Sequence, residues 1–203
     1  FGRNGVGKTT LLKTVAGWVK PTRGEIEFNG ERIEGLHSDR ISRGGVGFVP
    51  EDRRVFPGLT VEENLTLGFL QVPRRSAADD RQALQRIYDR FPRLRERRKQ
   101  NGTTLSGGEQ QMLAMARVMI GCQTLLLIDE PSEGLAPMIV ADLFAIIEEM
   151  KKAGCSILLV EQNVHLALTV CDQFAFIERG RIVLSGSARD KADCEKLLEA
   201  IAV

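Results

Sequence analysis

The residues best suited to chemistry stand at the start of the sequence, where glycines are interspersed with polar residues and lead to Lys-Thr. They match the pattern G-x-x-x-x-G-K-[ST], in which glycines let backbone N–H groups converge on phosphate oxygens and the lysine reaches the β and γ phosphates of a nucleotide. The hydroxyl after the lysine binds Mg²⁺ in such a loop. The motif consists of Gly2, Arg3, Asn4, Gly5, Val6, Gly7, Lys8 and Thr9, and Thr10 follows it. These residues predict a loop that binds nucleotide phosphates together with Mg²⁺.

Two adjacent carboxylates, Asp129 and Glu130, follow the apolar run 125–128. Such a run predicts a buried parallel strand, and α/β sheets bind ligands at the carboxyl ends of their strands. There Asp129 would hold Mg²⁺ through water, and Glu130 would polarise an attacking water. Alone, the pair is also typical of a strand that ends in solvated acids. The upstream phosphate loop favours the chemical interpretation.

A third motif, Leu105-Ser106-Gly107-Gly108-Glu109, opens a predicted helix. Its simplest interpretation is a capping box between Ser106 and Glu109. Each glycine costs about 1 kcal/mol relative to alanine in a helix, and the cap needs neither of them. Glycines are expected where a ligand approaches the backbone N–H groups at a helix start. The sequence therefore predicts a second anion-binding helix start in the same chain.

The order of these motifs over residues 2–185 resembles that of the ATP-binding subunits of ABC transporters, whose signature is LSGGQ. Glu51, after Val49-Pro50, stands where that family commonly has the glutamine of its Q-loop. Gln162 takes the place of the switch histidine, and Ala136 replaces the usual aspartate. With their neighbours, these changes resemble one subgroup, the second ATPase of branched-chain amino acid importers.

The resemblance implies an α/β fold of the P-loop NTPase (ABC ATPase) type, with a mostly parallel sheet core and an inserted α-helical subdomain at about residues 72–121 of a single domain, 1–203. It implies ATP and Mg²⁺ as cofactors, Glu130, Gln162 and Glu51 as catalytic residues, and Thr9, Glu51 and Asp129 around the metal. A neutral amide at Gln162 can donate a hydrogen bond to the γ-phosphate but cannot become a cation. Glu130 is the expected base.

In that family two subunits pair head to tail, so each ATP lies between one phosphate loop and the partner's signature. The resemblance implies this role for Ser106, Gly107, Gly108 and Glu109. It also implies membrane-embedded permease subunits as partners, a periplasmic substrate-binding protein indirectly, and a peripheral cytoplasmic location on the inner face of the plasma membrane.

The elements that must position these residues alternate between strands and helices, which predicts a largely parallel α/β sheet. Capping boxes are predicted at Thr60–Glu63 and Ser76–Asp79, and a hairpin around Gly180. Strands are predicted at 25–29, 46–49, 125–128, 156–160, 173–177 and 181–184. Helices are predicted at 9–19, from 60, within 72–101, and at 106–120, 137–153, 164–170 and 194–201.

Only Phe1 precedes Gly2, although a phosphate loop normally follows a buried strand. We therefore expect an N-terminally incomplete chain. The aromatic residue with which the family stacks on adenine would lie upstream.

Composition narrows the class of protein further. Lys and Arg (28) nearly balance Asp and Glu (27), which gives no sign of a nucleic acid partner. The ten basic residues between Arg74 and Lys99 have few aromatic neighbours, so a solvated helix face is favoured there. Four scattered cysteines indicate reduced cytosolic thiols without structural zinc, and no apolar run is long enough to span a bilayer. His165 is expected on the surface or in packing.

Three alternatives to the branched-chain importer subunit stay open. One is the equivalent subunit of a urea or short-amide importer. Another is a non-transport ABC-type ATPase of DNA repair or ribosomes, which would usually carry long insertions or a second cassette. The third, motivated by Glu51 and Gln162, is a dimerisation module that binds ATP without hydrolysing it.

Overall fold

The computed structural model describes residues 1–71, 76–121 and 123–202, and within these ranges it contains seven strands and nine α-helices. The strands are β1 Glu27–Phe28, β2 Glu31–Arg32, β3 Val46–Val49, β4 Leu125–Asp129, β5 Ser156–Val160, β6 Gln173–Glu178 and β7 Arg181–Ser187. The helices are α1 Lys8–Val15, α2 Ser38–Arg43, α3 Val61–Thr66, α4 Ala77–Arg90, α5 Pro92–Glu96, α6 Gly107–Ile120, α7 Pro137–Lys152, α8 Val164–Leu168 and α9 Lys191–Ala202. Val72, where the predicted helical subdomain starts, Arg74 and Cys122 lie outside the described residues.

A parallel sheet in the order β3-β4-β5 forms the centre of the fold. Its middle strand has three fully buried residues, Leu126, Leu127 and Ile128, as expected for a parallel strand covered on both faces. The register pairs Val49 with Ile128 and Asp129 with Val160. The three strands therefore end at the same edge of the sheet. This arrangement brings the segments that begin with residues 50, 130 and 161 together.

Several predicted elements have other bounds in the structure: the strand at 25–29 spans only Glu27–Phe28, the helix at 164–170 ends at Leu168, and the helix at 194–201 begins at Lys191. The helix expected at 9–19 ends at Val15, because Gly17 adopts a left-handed φ of 74° that breaks the helical path. The strand at 156–160 has the predicted bounds but is not fully buried, and Leu158 is 38% exposed. Among the described strands β5 pairs only with β4, so one edge is left uncovered.

Two antiparallel hairpins lie outside the parallel sheet. β1 and β2 turn at Asn29-Gly30, with φ of 51° and 80°, and β6 and β7 turn at Arg179-Gly180, with φ of 48° and 74°. Two consecutive residues with positive φ are the mark of a type I′ turn. The hairpin around Gly180 was predicted, whereas β2 was not.

The segment between β3 and β4 is helical in its described part. Helix α6 joins it to the sheet, because Leu113 and Met115 are fully buried in the same apolar cluster as Leu94 of α5 and Leu126 of β4. Capping boxes open α3, α4 and α6, and those of α3 and α4 confirm the caps predicted at Thr60 and Ser76. Within the described residues, no helix has the length and apolar character needed to cross a membrane.

Candidate functional site

The predicted phosphate loop forms one wall of a cavity of about 270 Å³. Gly5 and Gly7 have φ of 79° and 103°, a conformation that favours glycine, and Gly7 is the N-cap of α1. Among the described residues no side chain caps this helix, so its first N–H groups have neither an intrahelical nor a side-chain acceptor there. The helix start therefore offers donors for a phosphate group.

Carboxylates line the cavity opposite the loop. Glu51 comes from the segment after β3, Glu130 from the residue after β4, and Glu133 from three residues further on. The lining residues are Asn4, Gly5, Gly7, Lys8, Thr9, Thr10, Glu51, Glu130 and Glu133. The structure thus brings most of the predicted loop together with two of the three predicted catalytic residues.

Lys8 and Glu130 form a buried ion pair, with 3.3 Å between Nζ and Oε1 and exposures of only 4% and 8%. Lys8 Nζ also donates to the backbone oxygen of Arg3 at 3.0 Å. The other carboxylate oxygen of Glu130 accepts a short hydrogen bond from Nε2 of Gln162. Glu130 has a φ of 43°, which is uncommon for a residue with a side chain and is often found at functional sites. The third predicted catalytic residue therefore reaches the site through Glu130 and not through the cavity lining.

Asp129 is buried and only half satisfied. Its Oδ1 accepts a hydrogen bond from the Thr9 hydroxyl at 3.1 Å, while its Oδ2 has no partner among the described residues. Burial raises the pKa of this carboxyl, the charges of Glu130 and Glu51 raise it further, and the Thr9 hydrogen bond opposes the shift. A bound cation would stabilise the ionised carboxylate and so offset the cost of burying its charge. A carboxylate oxygen without a partner beside a hydroxyl fits Mg²⁺, which prefers oxygen ligands.

Glu133 is a cavity residue that the sequence analysis missed. Its pKa is raised by partial desolvation, then by the charges of Glu51 and Glu130, and by a hydrogen bond with Glu51. The sequence signal that could have found Glu133 is its position three residues after Glu130, because Gly134, with a φ of 65°, permits a tight turn there.

Gly2, Arg3 and Val6 lie outside the cavity lining. Phe1 runs beside β6, where its N-terminal amine donates to the oxygen of Ala175 at 2.6 Å and its oxygen accepts from the N–H of Ile177 at 2.7 Å. A Cβ on Gly2 would come within 2.5 Å of the Ile177 oxygen. Glycine is therefore required there by the close approach of two backbones.

The signature residues lie elsewhere. Ser106 Oγ accepts from the N–H of Glu109 at 3.4 Å, and Glu109 Oε2 accepts from the N–H of Ser106 at 2.9 Å. Arg97 forms an ion pair with Glu109 at 3.0 Å. Desolvation alone would raise the pKa of Glu109, but the Ser106 hydrogen bonds and the Arg97 charge outweigh it and lower the pKa. None of residues 105–109, all of which are described, lines the cavity at the phosphate loop.

The two signature glycines are packed against the same chain. A Cβ on Gly107 would lie 2.8 Å from Nη1 of Arg53, and one on Gly108 would lie 3.1 Å from side-chain carbons of Ile139. A larger side chain at either position would therefore displace a neighbouring side chain of the same chain. Packing accounts for part of what the sequence analysis attributed to ligand approach alone.

Comparisons with known proteins agree with this geometry. A family model described as ABC transporter matches residues 1–133. The chain is 46% identical over 185 residues to the high-affinity branched-chain amino acid transport ATP-binding protein BraG of Pseudomonas aeruginosa, which covers 91% of this chain and 78% of that protein. It is 36% identical over 196 residues to the probable branched-chain amino acid transport ATP-binding protein LivF of Archaeoglobus fulgidus, with 96% and 82% covered.

Solved structures show the same fold. The structure of an ATP-binding subunit of an ABC transporter superposes with a TM-score of 0.86 at 28% identity, covering 100% of this chain and 86% of that one. A dimeric ATP-binding cassette in a post-hydrolysis state, bound to ADP and phosphate, has a TM-score of 0.83 at 22% identity, with 93% and 84% covered. At that identity the second likeness concerns the fold alone.

Proposed function

Because the chain belongs to the ABC transporter family, we propose that it is the ATP-hydrolysing subunit of an importer for branched-chain amino acids. The observation that carries the proposal is the contact of Glu130 with both Lys8 and Gln162 beside the phosphate loop. The 46% identity to a branched-chain amino acid transport protein supports the substrate class.

We assign phosphate binding to the loop from Gly2 to Thr10 and to the Lys8 ammonium. Thr9, Asp129 and Glu51 are the groups that would hold Mg²⁺, and a metal bound there would supply charge neutralisation at the phosphates. Glu130 accepts a proton from the attacking water. The water oxygen bonds to the γ-phosphorus, the bond to the ADP oxygen breaks, and phosphate leaves.

Lys8 changes its partner in this scheme. Both side chains contact Glu130 in the structure, and an ATP γ-phosphate would compete for the same donors. Transfer of Lys8 to the phosphate leaves Glu130 with a free oxygen for water. Gln162 remains a neutral donor, either to Glu130 or to the γ-phosphate.

The second half of the ATP site is proposed to come from a partner subunit. ABC ATPases work as dimers with membrane permease subunits, and Ser106, Gly107, Gly108 and Glu109 lie outside this chain's own cavity. A head-to-tail pair would bring them to the partner's ATP. We place the pair on the cytoplasmic face of the membrane. A periplasmic substrate-binding protein would act on the pair only indirectly.

The domain assignment is also a proposal. Residues 1–203 form one nucleotide-binding domain, and about 72–121 form its inserted helical subdomain. The packing of α4, α5 and α6 around the buried Leu94 and Leu113 supports this assignment, as does their position between β3 and β4.

Phosphate release by the full chain and its Glu130→Gln variant tests the ATPase proposal. Loss of a general base typically lowers turnover by about 10²- to 10⁴-fold, while ATP binding should persist. Glu199→Gln is the control, because Glu199 lies on the exposed surface of α9 outside the cavity lining, and it should keep most of the activity. Equal, near-zero rates in the unchanged chain and Glu130→Gln would contradict the ATPase proposal.

Uptake measurements test the substrate class. Cells that lack this chain should lose uptake of labelled leucine, isoleucine and valine, and the unchanged chain should restore it where Glu130→Gln does not. Loss of urea uptake with normal leucine uptake would instead favour the urea or short-amide importer.

A further inference from the structure

A buried carboxylate joins the two loops that carry Glu130 and Gln162. Glu161 is only 3% exposed, and both of its oxygens are used. Oε2 accepts a hydrogen bond from the Ser132 hydroxyl at 2.8 Å, and Oε1 accepts from the N–H groups of Gln162 at 2.8 Å and Asn163 at 3.1 Å. We call this contact the Ser132–Glu161 bridge. Its ends lie two residues after Glu130 and one residue before Gln162.

The strands alone do not fix the relation between these loops. Pairing of β4 with β5 ends at Asp129 and Val160, and one further backbone bond joins the N–H of Glu130 to the oxygen of Val160 at 2.9 Å. Beyond that point the backbone turns at Glu130, which has a φ of 43°. The segment after β4 and the segment after β5 therefore leave the sheet separately. In the described residues, the Ser132–Glu161 bridge is the side-chain contact that joins these two segments next to the Glu130–Gln162 hydrogen bond.

The contacts of Glu161 are not those expected of a residue whose main role is to stabilise the fold. No Lys, Arg or His in the described part of the chain forms an ion pair with it, so neutral donors alone compensate its buried carboxylate. A buried carboxylate without a cation is costly, and here only hydrogen bonds offset that cost. Helix α8 has its own cap, since Asn163 Oδ1 accepts from the N–H of Leu166 at 3.1 Å. Glu161 is therefore not needed to start that helix.

We propose that Glu161 is a positioning residue for ATP hydrolysis, which through the Ser132–Glu161 bridge holds the amide of Gln162 against the carboxylate of Glu130. The proposal rests on the proposed function. Glu161 acts through the Gln162 backbone and touches neither the phosphate loop cavity nor, in this scheme, the substrate.

The test compares Glu161→Ala and Ser132→Ala with the unchanged full chain, each alone and in a Gln162→Ala background. Misplacement of a catalytic group by about 1 Å can cost about 100-fold, so we expect kcat to fall roughly 10- to 100-fold in Glu161→Ala with little change in ATP affinity. Because Glu161 acts through Gln162, the same substitution should cause no further loss of kcat in Gln162→Ala.

The conservative variant Glu161→Gln serves as the rescue. Its amide oxygen can still accept from the two N–H groups, and its NH₂ can donate to the Ser132 oxygen. It should recover most of the unchanged kcat. Ser132→Ala removes a single bond to a half-buried hydroxyl, so it carries the test if Glu161→Ala does not fold.

Two results would overturn the proposal: equal fold losses from Glu161→Ala with and without Gln162, or a weakened ATP affinity with an unchanged kcat. Reference rates separate this failure from that of the proposed function. If the unchanged chain hydrolyses ATP and Glu130→Gln does not, normal kcat in Glu161→Ala and Ser132→Ala rejects the positioning role alone. If the unchanged chain does not hydrolyse ATP, both proposals fail.

Discussion

The two glycine-rich helix starts of this chain differ in what occupies them. Helix α1 begins at Gly7 without a side-chain cap, beside Lys8 and a cavity lined with carboxylates. Helix α6 begins at Ser106 with a complete capping box. The side chains of Arg53 and Ile139 lie 2.8 Å and 3.1 Å from the positions that a Cβ on its two glycines would take.

This difference shows that a glycine-rich helix start does not make a binding site by itself. At α1 the chain supplies free donors, a buried cation and acids within one cavity. At α6 the capping box of the chain itself already satisfies part of the helix start. Within our proposal, the first is half of a site that is ready for ATP, and the second functions only against another subunit.

The largest effect is expected from Lys8→Ala, which removes the cation from the first helix start. Hydrogen bonds to charged groups contribute about 1.5–3 kcal/mol each, so the loss of contacts to two phosphates should weaken ATP binding by at least about 100-fold. Titration with a fluorescent ATP analogue measures this. Lys20→Ala, on the exposed surface after α1, should bind normally. Unchanged affinity in Lys8→Ala would refute the assignment of α1 as the phosphate site.

A smaller effect separates capping from ligand binding at the second helix start. Thr60, Ser76 and Ser106 cap α3, α4 and α6 in the same way, so alanine at each should lower the free energy of unfolding by about 0.5–2 kcal/mol. Only Ser106→Ala should also lower ATP hydrolysis, by about 10-fold or more, because it alone would lose a hydrogen bond to phosphate. Binding of ATP to the isolated chain should stay the same in all three.

Urea unfolding and steady-state phosphate release on the three cap variants provide the measurement. If all three lose hydrolysis in proportion to their loss of stability, the signature acts only as a helix cap. The comparison between the two helix starts would then lose its functional meaning.

The smallest effect is on the pH dependence of folding stability. It has opposite signs for Asp129, which contacts Thr9 of α1, and for Glu109, in the first turn of α6. The folded pKa of Asp129 lies above its ordinary 3.8, so stability is lost as the pH rises through the folded pKa, and Asp129→Asn should stabilise the nucleotide-free chain at neutral pH. The folded pKa of Glu109 lies below its ordinary 4.5, so its stability is present above 4.5 and is lost as the pH falls through the folded pKa. Glu109→Gln should therefore destabilise the chain at neutral pH.

Urea unfolding at about pH 7 and about pH 4, without nucleotide or Mg²⁺, checks both signs. Each difference from the unchanged chain should shrink at the lower pH. A stabilising Glu109→Gln or a destabilising Asp129→Asn at neutral pH would show that the two acids do not differ as described.

Much of the fold follows from local patterns. Capping boxes at Thr60 and Ser76 and the turn at Gly180 are where the sequence predicts them, because such signals act over three or four residues. β3 and β5 have the predicted bounds. Helix α2 was missed, since six residues are too short for a clear hydrophobic period, whereas α5 lies within the stretch 72–101 where helices were predicted.

The chemical groups could be predicted from sequence: a phosphate loop, two acids after a buried strand, and a capped, glycine-rich helix start. The folded chain was needed to show that Gln162 bonds to Glu130, that Glu133 joins the cavity, and that Ser132 contacts Glu161. The reason is physical. A loop motif is defined by neighbours in sequence, whereas contacts across 29 or 32 residues depend on strand register and on the turns that follow the sheet.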